Sequence, residues 1–257
     1  MSMRLRPEVQ ELSRKEHLIY MIKATNLTKD YGEQRAVDIP ELIIPDGTIL
    51  GLVGNNGAGK TTLFRLILDL IKATDGEIGL SKSEEDEILN PAKCEEWKHF
   101  VGAYVNEGFL IDFLSPEEYF LFVGKVNEIP EETVKTTVER YSEFLTEEII
   151  GAGKLIRDLS AGNRQKVGIV SALLARPKIV ILDEPFNFLD PSSQNKLKKL
   201  LMEYHEETGA TLLISSHNLN HTVDISTHVA LMEKGKILSF IDNSDGAANK
   251  QLDEYFS

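Results

Sequence analysis

The sequence predicts an α/β fold with a mainly parallel sheet, and two observations lead to this prediction. Short apolar runs that are typical of buried strands occur at residues 48–53, 178–182 and 211–215. Amphipathic segments with helical spacing follow the first two runs, so strands and helices alternate along the chain. Because this alternation builds a parallel, layered sheet, ligands are expected beside the carboxyl ends of these strands. We therefore expect a functional site in the loops that follow the three runs.

The N-terminal half supplies the first elements of this pattern. Residues 22–27 alternate enough to predict a strand, and residues 77–80 predict another short one. Residues 81–98 are acidic and polar, so we expect an exposed connection there. A helix is predicted directly after the run at 48–53, and its inward face has four apolar residues at the spacing of a helix: Leu63, Leu66, Ile67 and Leu70.

The middle of the chain predicts a helical insert, at about residues 115–165. Ser115 can cap a helix, Pro116 suits its first position, and Glu118 completes a capping box. Pro130 opens a second predicted helix, whose outer face is charged. Strand signals are few in this block, so it should interrupt the α/β pattern.

The α/β pattern then resumes, and a helix that starts at Asp190 and Pro191 follows the run at 178–182. Residues 228–232 and 236–241 flank a short turn and predict a hairpin. The helix after Asp190 should bury four residues: Leu197, Leu200, Leu201 and Tyr204. The predicted organisation is an N-terminal extension over residues 1–20, a domain over 21–242, and a polar tail over 243–257 that forms a short surface helix.

Composition and charge limit the classes of function. The chain has 257 residues, of which 42% are hydrophobic and 27% charged, as in ordinary soluble globular proteins. Its net charge is −13, which argues against a nucleic-acid partner because nucleic-acid-binding domains usually carry a basic face. Neither a membrane-spanning run nor a secretory signal pattern occurs, and the single cysteine, Cys94, fits a reducing compartment. We therefore expect a cytoplasmic location.

A phosphate-binding loop is predicted from Gly54 to Thr61, which match the pattern G-x-x-x-x-G-K-[ST] between an apolar strand and an amphipathic helix. In such a loop, backbone N–H groups and the positive end of the helix face a phosphate. We expect Lys60 to reach the β- and γ-phosphates and the Thr61 hydroxyl to bind Mg²⁺. The predicted nucleotide-binding residues of this segment are Gly54, Asn55, Asn56, Gly57, Ala58, Gly59, Lys60, Thr61 and Thr62.

Two adjacent carboxylates, Asp183 and Glu184, directly follow the apolar run at 178–182. At this position Asp183 can hold Mg²⁺, directly or through water, and Glu184 can polarise the attacking water. Asn195 begins the run N-K-L-K, which lacks the aspartate that a guanine-reading N-K-x-D motif needs. The acidic pair beside a phosphate loop therefore favours hydrolysis of ATP.

Together with residues 159–163, L-S-A-G-N, these motifs resemble the ATP-binding subunits of ABC transporters over roughly residues 22–241. The run at 159–163 resembles the family's signature motif, usually L-S-G-G-Q, and the helix after it should bury Val167, Val170 and Leu174. The resemblance implies a P-loop NTPase core of the ABC type, with a mainly parallel sheet, an antiparallel β lobe and a helical insert. It also implies that Ser160 and Gly162 contact the γ-phosphate.

The resemblance implies four further site residues. Tyr31 resembles the aromatic residue that stacks on adenine, and His217 resembles the switch histidine that senses the γ-phosphate. Asp190 lies in a segment that resembles the D-loop, which meets the opposite subunit, and it can cap a helix at the same time. Glu107 stands where the family usually has the Q-loop glutamine, and its carboxylate is expected to approach Mg²⁺ or the attacking water.

In this family the groove beside the Q-loop receives a helix of the membrane subunit. Phe109, Leu110 and Phe113 lie just after Glu107 in the sequence. Two interpretations stay open for these three residues, since they could contact that helix or could belong to the hydrophobic core.

The implied function is ATP hydrolysis, with ATP and Mg²⁺, in a homodimer or in a heterodimer with a second ABC ATPase chain. The dimer would lie at the cytoplasmic face of the cell membrane, bound through an integral membrane transporter subunit. Glu107 and the short C-terminal end favour export of the substrate. Two alternatives stay open: a soluble ABC ATPase in another assembly, such as iron–sulfur cluster building, and a non-hydrolysing ATP-dependent scaffold, which the presence of Glu184 opposes.

Overall fold

A computed structural model describes residues 20–83, 86–218 and 222–243 of the chain. The predicted extension, apart from residue 20, and the predicted surface helix of the tail lie outside these residues. Within the described ranges, no helix combines the length and the apolar character that crossing a membrane requires.

Six strands form the main sheet, in the spatial order β5-β6-β7-β3-β8-β9. Neighbouring strands run parallel, except for the antiparallel hairpin of β8 and β9. The three central strands β6, β7 and β3 are buried along their whole length, as in sheets that are covered on both faces. The three predicted runs and the hairpin are confirmed, as β3 (Ile49–Val53), β6 (Ile179–Leu182), β7 (Thr211–Ser216), β8 (His228–Glu233) and β9 (Lys236–Asp242). The remaining strand of this sheet is β5 (Val101–Tyr104).

An antiparallel β lobe covers one face of the main sheet, and its strand order is β2-β1-β4. Its strands are β1 (Tyr20–Tyr31), β2 (Gln34–Pro45) and β4 (Asp75–Leu80), which confirms the two strands predicted at 22–27 and 77–80. The sequence did not predict β2. Its buried residues change phase at Pro40, from Val37 and Ile39 to Leu42 and Ile44, so the alternation is broken. Proline is tolerated there because β2 lies at the edge of its sheet.

Helix α1 (Lys60–Ile67) follows the phosphate loop and packs between the β lobe and the main sheet. Leu63, Leu66 and Ile67 are buried as predicted, but the prediction for Leu70 is wrong, because its side chain is 46% exposed. The helix ends at Ile67, and Asp69 takes a positive φ of 48°, so the chain turns away before Leu70 reaches the inward face.

The segment at 81–98, predicted as an exposed connection, is partly anchored in the core. Trp97, in a short 3-10 turn (Glu96–His99), is buried in the same cluster as α1 and the β lobe. The prediction is therefore wrong for Trp97, whose large apolar side chain overrides the polar character of its neighbours. Strand β5, which follows, was not predicted either, because it has four residues and two of them, Gly102 and Ala103, have little or no side chain to bury.

The helical insert covers the other face of the main sheet together with two longer helices. The predicted capping box is present, since the Ser115 hydroxyl accepts from the backbone of Glu118 at 3.2 Å and the Glu118 carboxylate accepts from the backbone of Ser115 at 2.8 Å. Pro130 precedes the second helix of the insert, as predicted. The helices of the insert are α2 (Pro116–Val126), α3 (Glu131–Arg140) and α4 (Ser142–Leu145), and a 3-10 turn follows (Ile156–Asp158).

Two longer helices flank the main sheet, and each begins close to the carboxyl end of a strand. They are α5 (Ala161–Leu173) and α6 (Pro191–Thr208). The residues predicted to be buried on these helices and just after α5 are all buried: Val167, Val170, Leu174, Leu197, Leu200, Leu201 and Tyr204. Since β6, β7 and β3 are parallel neighbours, the loops after these strands meet at one edge of the sheet.

Candidate nucleotide-binding site

The phosphate loop ends at Gly59, which stands at the N-cap of α1 with a φ of 109°. A side chain there would be strained by this φ, and its Cβ would lie 2.5 Å from the carbonyl oxygen of Ala36 in β2. Without a side chain at the cap, the N–H groups of the first helical turn have no capping partner from Gly59. A helix start of this kind is suited to binding a phosphate.

Lys60 turns back over this loop and is only 6% exposed. Its ammonium donates to the carbonyl oxygen of Gly54 at 2.6 Å and to that of Asn55 at 3.3 Å. It also forms an ion pair with Oε1 of Glu184, at 3.2 Å. The predicted phosphate-binding lysine and the predicted water-polarising carboxylate therefore lie in direct contact, although 124 positions separate them in the sequence.

Thr61 and Asp183 are also joined, since the Thr61 hydroxyl donates to Oδ2 of Asp183 at 2.6 Å. The other carboxylate oxygen, Oδ1, accepts from the Ser215 hydroxyl at 2.6 Å. Burial raises the pKa of the Asp183 carboxyl, and the hydrogen bonds from Ser215 and Thr61 act in the opposite direction. Two of the three predicted metal ligands, Thr61 and Asp183, thus form one hydrogen-bonded pair at the edge of the sheet.

Glu184 has a positive φ of 49°, which is uncommon for a residue with a side chain. Its Oε2 lies 2.8 Å from Nδ1 of His217 and accepts from the backbone N–H of His217 at 3.3 Å. Its backbone N–H donates to the Ser215 hydroxyl at 2.8 Å, and its carbonyl oxygen accepts from Nε2 of Gln165 at 3.0 Å. These contacts hold both the backbone and the carboxylate of Glu184 in place.

Sequence reasoning missed Ser215 and Gln165 as members of the site. Ser215 connects Asp183 with the backbone of Glu184, and Gln165 connects α5 with the same segment. A weak signal was available for Ser215, because it is a polar residue near the end of an otherwise apolar strand. For Gln165 the only signal in the sequence is its position, two residues after the signature motif.

The start of α5, where the signature residues lie, contacts the segment before α6. The Ser160 hydroxyl caps α5 by accepting from the backbone N–H of Asn163 at 3.2 Å. Gly162 packs so closely on the loop that a Cβ there would lie 2.5 Å from the carbonyl oxygen of Phe188. Among the described residues, no hydrogen bond or ion pair joins Ser160 or Gly162 to the phosphate loop of the same chain.

Asp190 caps α6, as one of its two predicted roles requires. Its Oδ1 accepts from the backbone N–H groups of Ser192 and Ser193 at 2.9 and 3.0 Å, and its Oδ2 accepts from the Ser193 hydroxyl at 2.6 Å. The hydrogen bond from that hydroxyl is the largest cause that lowers the pKa of the Asp190 carboxyl. Contact with a nucleotide or with a second subunit stays a prediction for Asp190.

Tyr31 lies at the end of β1, in the β lobe, and half of its side chain is exposed. The ammonium of Lys29 lies 5.0 Å from the centre of its ring. The exposed ring is available for stacking, and the adenine contact stays a prediction.

The backbone of Glu107 begins a 3-10 turn (Glu107–Phe109) just after β5, and its side chain lies outside what the structure describes. Phe109 and Phe113 are 56% and 65% exposed, which excludes the core interpretation for these two residues. Leu110, by contrast, is half-buried and packs against the core cluster. Phe109, at the end of the turn, and Phe113, four residues later, are called the exposed aromatic pair below.

The chemistry of Thr61 and Asp183 fits a magnesium ion. A hydroxyl and a carboxylate are hard oxygen ligands, and both already lie beside the loop that is suited to phosphate. Magnesium in nucleotide sites is commonly held by one or two protein oxygens together with substrate phosphates. Thr61 and Asp183 would supply those protein oxygens.

Gly162→Ala tests the close packing of the signature residues on the loop before α6. The added methyl group would meet the Phe188 carbonyl oxygen, so we expect ATP hydrolysis to fall at least about tenfold through displacement of the loop and of Glu184. ATP binding by the phosphate loop should change little. Steady-state phosphate release and an ATP titration measure the two quantities.

Ala161→Gly is the matched comparison for this variant, since it changes the neighbouring residue by the same methyl group in the opposite direction. It should leave the hydrolysis rate unchanged or raise it. A marked fall with Ala161→Gly, or a normal rate with Gly162→Ala, would contradict the role that we give to this contact.

Comparison with known proteins places these observations in a family. Residues 37–187 match the sequence model of the ABC transporter family, so the chain belongs to that family. The ATP-binding subunits of this family bind ATP, dimerise, and work with membrane transporter subunits. The fold prediction, including the antiparallel β lobe and the helical insert, is confirmed.

Similar proteins include two named ATP-binding proteins of transporters. The bacitracin transport ATP-binding protein BcrA of Bacillus licheniformis is 35% identical over 86% of this chain and 69% of its own length. The methionine import ATP-binding protein MetN of Carboxydothermus hydrogenoformans is 32% identical over 85% of this chain and 65% of its own length. The solved structure of cbiO1 from Clostridium perfringens, part of the ABC transporter complex cbiONQ, aligns with a TM-score of 0.72 at 25% identity, covering 92% of this chain and 94% of that one.

Proposed function

We propose that this chain hydrolyses ATP to power transport of a substrate through a separate integral membrane subunit. The observation that carries the proposal is the position of Glu184, whose carboxylate contacts Lys60 on one oxygen and His217 on the other. A carboxylate held beside a phosphate-binding lysine is suited to orient water for attack on a terminal phosphate.

The phosphates would bind at the loop from Gly54 to Thr61. Backbone N–H groups at the start of α1 and the ammonium of Lys60 would offset the negative charge of the β- and γ-phosphates. Thr61 and Asp183 would hold Mg²⁺, which neutralises charge on the phosphate oxygens when it is bound. Ser215 keeps Asp183 oriented by donating to its second oxygen.

Glu184 would become available to water when the ATP phosphates compete for Lys60. The ammonium of Lys60 now contacts Oε1 of Glu184, and a phosphate with its higher charge would draw that ammonium away. His217 would keep Oε2 in position, so that the freed Oε1 can accept a hydrogen bond from the attacking water. Glu107 would approach Mg²⁺ or the same water from the Q-loop.

A second ABC ATPase chain, identical or related, would complete each site. Because no hydrogen bond or ion pair of the described residues joins Ser160 or Gly162 to the phosphate loop of the same chain, we infer that they serve the γ-phosphate bound to the opposite chain. ATP between the two chains would close the dimer, and hydrolysis would let it open, which is a ligand-driven shift between two states. Asp190 would face the opposite subunit, and Tyr31 would stack on adenine.

The membrane subunit would bind at the exposed aromatic pair, Phe109 and Phe113, and would hold the chain at the cytoplasmic face of the membrane. Two exposed phenylalanines close together in sequence are typical of a protein interface. The names of the relatives include bacitracin transport and methionine import, so they support a transport function without giving one substrate or direction. Export stays the prediction made from the sequence.

Capture of partners from native membranes tests the transport function. The chain would be tagged, purified in mild detergent with ATP present, and compared with the variants Phe109→Asp and Phe113→Asp. We expect the wild-type chain to bring down a multi-span membrane protein at equal stoichiometry, and both variants to lose it while they still bind ATP.

Leu238→Asp is the matched control, because Leu238 is similarly exposed but lies on β9, at the opposite edge of the sheet from β5. It should retain the membrane partner. A soluble partner at equal stoichiometry, with nothing membranous, would contradict the transport proposal and favour a soluble ABC ATPase assembly.

A further inference from the structure

The end of the β1–β2 hairpin lies against the phosphate loop. Tyr31, the last residue of β1, pairs with Gln34 across the turn of this hairpin. Two positions after Gln34, the carbonyl oxygen of Ala36 lies so close to Gly59 that a Cβ on this glycine would be 2.5 Å from it. Tyr31 therefore belongs to the part of the β lobe that borders the phosphate loop.

Lys29 lies two residues before Tyr31 on the same strand, so both side chains leave the same face of β1. The ammonium of Lys29 lies over the Tyr31 ring, 5.0 Å from its centre. It also donates to the carbonyl oxygen of Lys72 at 2.8 Å. Because a cation at this distance is attracted to the face of an aromatic ring, Lys29 binds one face of Tyr31 while half of the tyrosine side chain stays exposed.

The carbonyl oxygen that holds Lys29 belongs to a segment that is fixed to β1. This segment follows α1, and two further hydrogen bonds join it to the end of β1. The backbone N–H of Thr74 donates to the carbonyl oxygen of Thr28 at 2.8 Å, and the backbone N–H of Asp30 donates to the Thr74 hydroxyl at 2.9 Å. Since α1 begins at the phosphate loop, Lys29 connects the ring of Tyr31 to the stretch of chain that continues from that loop.

The positive charge of Lys29 is available to the ring. The neighbouring carboxylate, that of Asp30, is engaged by Arg35, whose Nε donates to Oδ1 at 2.8 Å and whose Nη2 donates to Oδ2 at 3.2 Å. The hydrogen bonding from Arg35 lowers the pKa of the Asp30 carboxyl, so these two residues form a charged pair of their own. In the part of the chain that the structure describes, no carboxylate forms an ion pair with Lys29.

We propose that Lys29 positions Tyr31 for the adenine of ATP, by holding one face of the ring so that the other face is presented to the base. This inference rests on the proposed function, in which Tyr31 stacks on adenine. A ring that is already held loses less rotamer freedom when the base binds, so the stack costs less free energy to form. Lys29 is therefore a positioning residue, which acts through Tyr31 and not by contact with the nucleotide.

Two simpler roles of Lys29 would give different results. A role in the stability of the β lobe alone would lower the thermal unfolding midpoint without a preference for one ligand. A long-range attraction of its charge for phosphate would favour ATP and pyrophosphate alike, and added salt would screen it. Only the positioning role links the effect to the base and to the ring of Tyr31.

Calorimetric titration of the full-length Lys29→Met variant with ATP and with pyrophosphate tests the proposal. Methionine keeps an unbranched apolar side chain and removes the charge. We expect the Kd for ATP to rise about two- to fivefold, as for loss of an exposed cation–π contact. The Kd for pyrophosphate, which occupies the phosphate loop without a base, should be unchanged. Lys29→Arg should retain the wild-type affinity for ATP, because a guanidinium also binds an aromatic face.

Tyr31→Leu provides the second readout, because it removes the ring through which Lys29 acts. It should itself weaken the binding of ATP and leave that of pyrophosphate unchanged. When Lys29→Met is added to Tyr31→Leu, we expect no further loss of ATP affinity, since residues that act as one unit are not additive. Lys23→Met is the matched control, because it removes the same charge from a half-buried lysine near the other end of β1, and it should bind ATP like the wild-type chain.

The possible outcomes separate the role of Lys29 from the proposed function. If the wild-type chain does not bind ATP, or if Tyr31→Leu binds it with unchanged affinity, the adenine contact fails and the role of Lys29 fails with it. If Tyr31→Leu weakens ATP binding but Lys29→Met does not, only the role of Lys29 is overturned. The same holds if Lys29→Met weakens pyrophosphate by the same factor, or weakens ATP equally with and without the Tyr31 ring.

Discussion

Replacement of Lys60 with alanine is expected to abolish ATP binding at micromolar concentrations. The ammonium of Lys60 is the charged group that the structure holds inside the phosphate loop, on the carbonyl oxygens of Gly54 and Asn55. Each charged hydrogen bond to a phosphate contributes about 1.5–3 kcal/mol, so the loss of two raises Kd by at least about 100-fold. A titration with a fluorescent ATP analogue, in the presence of Mg²⁺, measures this change.

Lys72→Ala is the matched control for Lys60→Ala, because it removes the same charge from an exposed lysine shortly after α1. It should bind ATP like the wild-type chain. The thermal unfolding midpoint of both variants shows whether the loop is intact, since Lys60 is buried and also pairs with Glu184. If a folded Lys60→Ala variant bound ATP with unchanged affinity, the assignment of residues 54–61 as the phosphate loop would be contradicted.

The second large effect is expected for Glu184→Gln. Glutamine keeps the shape of the side chain and loses its negative charge, so it cannot polarise water, and turnover should fall by about 10²–10⁴-fold. ATP should still bind, because the phosphate loop and Asp183 are unchanged. Since bound ATP would persist between two chains, the variant should accumulate as a dimer with ATP, which light scattering after size-exclusion chromatography measures.

Glu206→Gln is the matched control, since Glu206 is an exposed carboxylate on α6 that loses the same charge. Its turnover and its monomer–dimer distribution should be those of the wild-type chain. If Glu184→Gln kept full turnover, Glu184 would not be the group that orients the water.

The local parts of the site were predictable from the sequence because each is a contiguous motif beside a recognisable element. The phosphate loop lies between an apolar run and an amphipathic helix, and the acidic pair ends a buried strand. The parallel direction of β6, β7 and β3, though not their order, was also predictable, because alternating strands and helices build a parallel sheet with such loops at one edge. Thr61 and Asp183, which come from two of these loops, are in contact as this reasoning requires.

The contacts that orient the site could not be predicted, because they depend on packing between distant segments. β3 and β6 are separated by β7, and a side chain of that middle strand, Ser215, connects Asp183 with the backbone of Glu184. Nothing in the spacing of the motifs indicates which neighbour lies between them. Gln165 was missed for the same reason, since its partner is a backbone carbonyl that only the fold brings close.

The wrong or missing element predictions have local physical causes. Pro40 shifts the alternation of buried and exposed residues in β2 by one position. A search for strict two-residue alternation in the sequence therefore does not detect this edge strand. Asp69, with its positive φ, ends α1 before Leu70, although Leu70 continues the helical spacing. In both cases one backbone position overrides a pattern that the side chains alone would predict.

Phosphate release from ATP by the purified full chain, with and without Mg²⁺, is the most direct test of hydrolysis at this site. We predict a Mg²⁺-dependent rate that saturates with ATP and falls to background in both Lys60→Ala and Glu184→Gln. A chain that binds ATP normally but releases phosphate no faster than these two variants would contradict the proposal. That result would favour an ATP-dependent scaffold that does not hydrolyse its nucleotide.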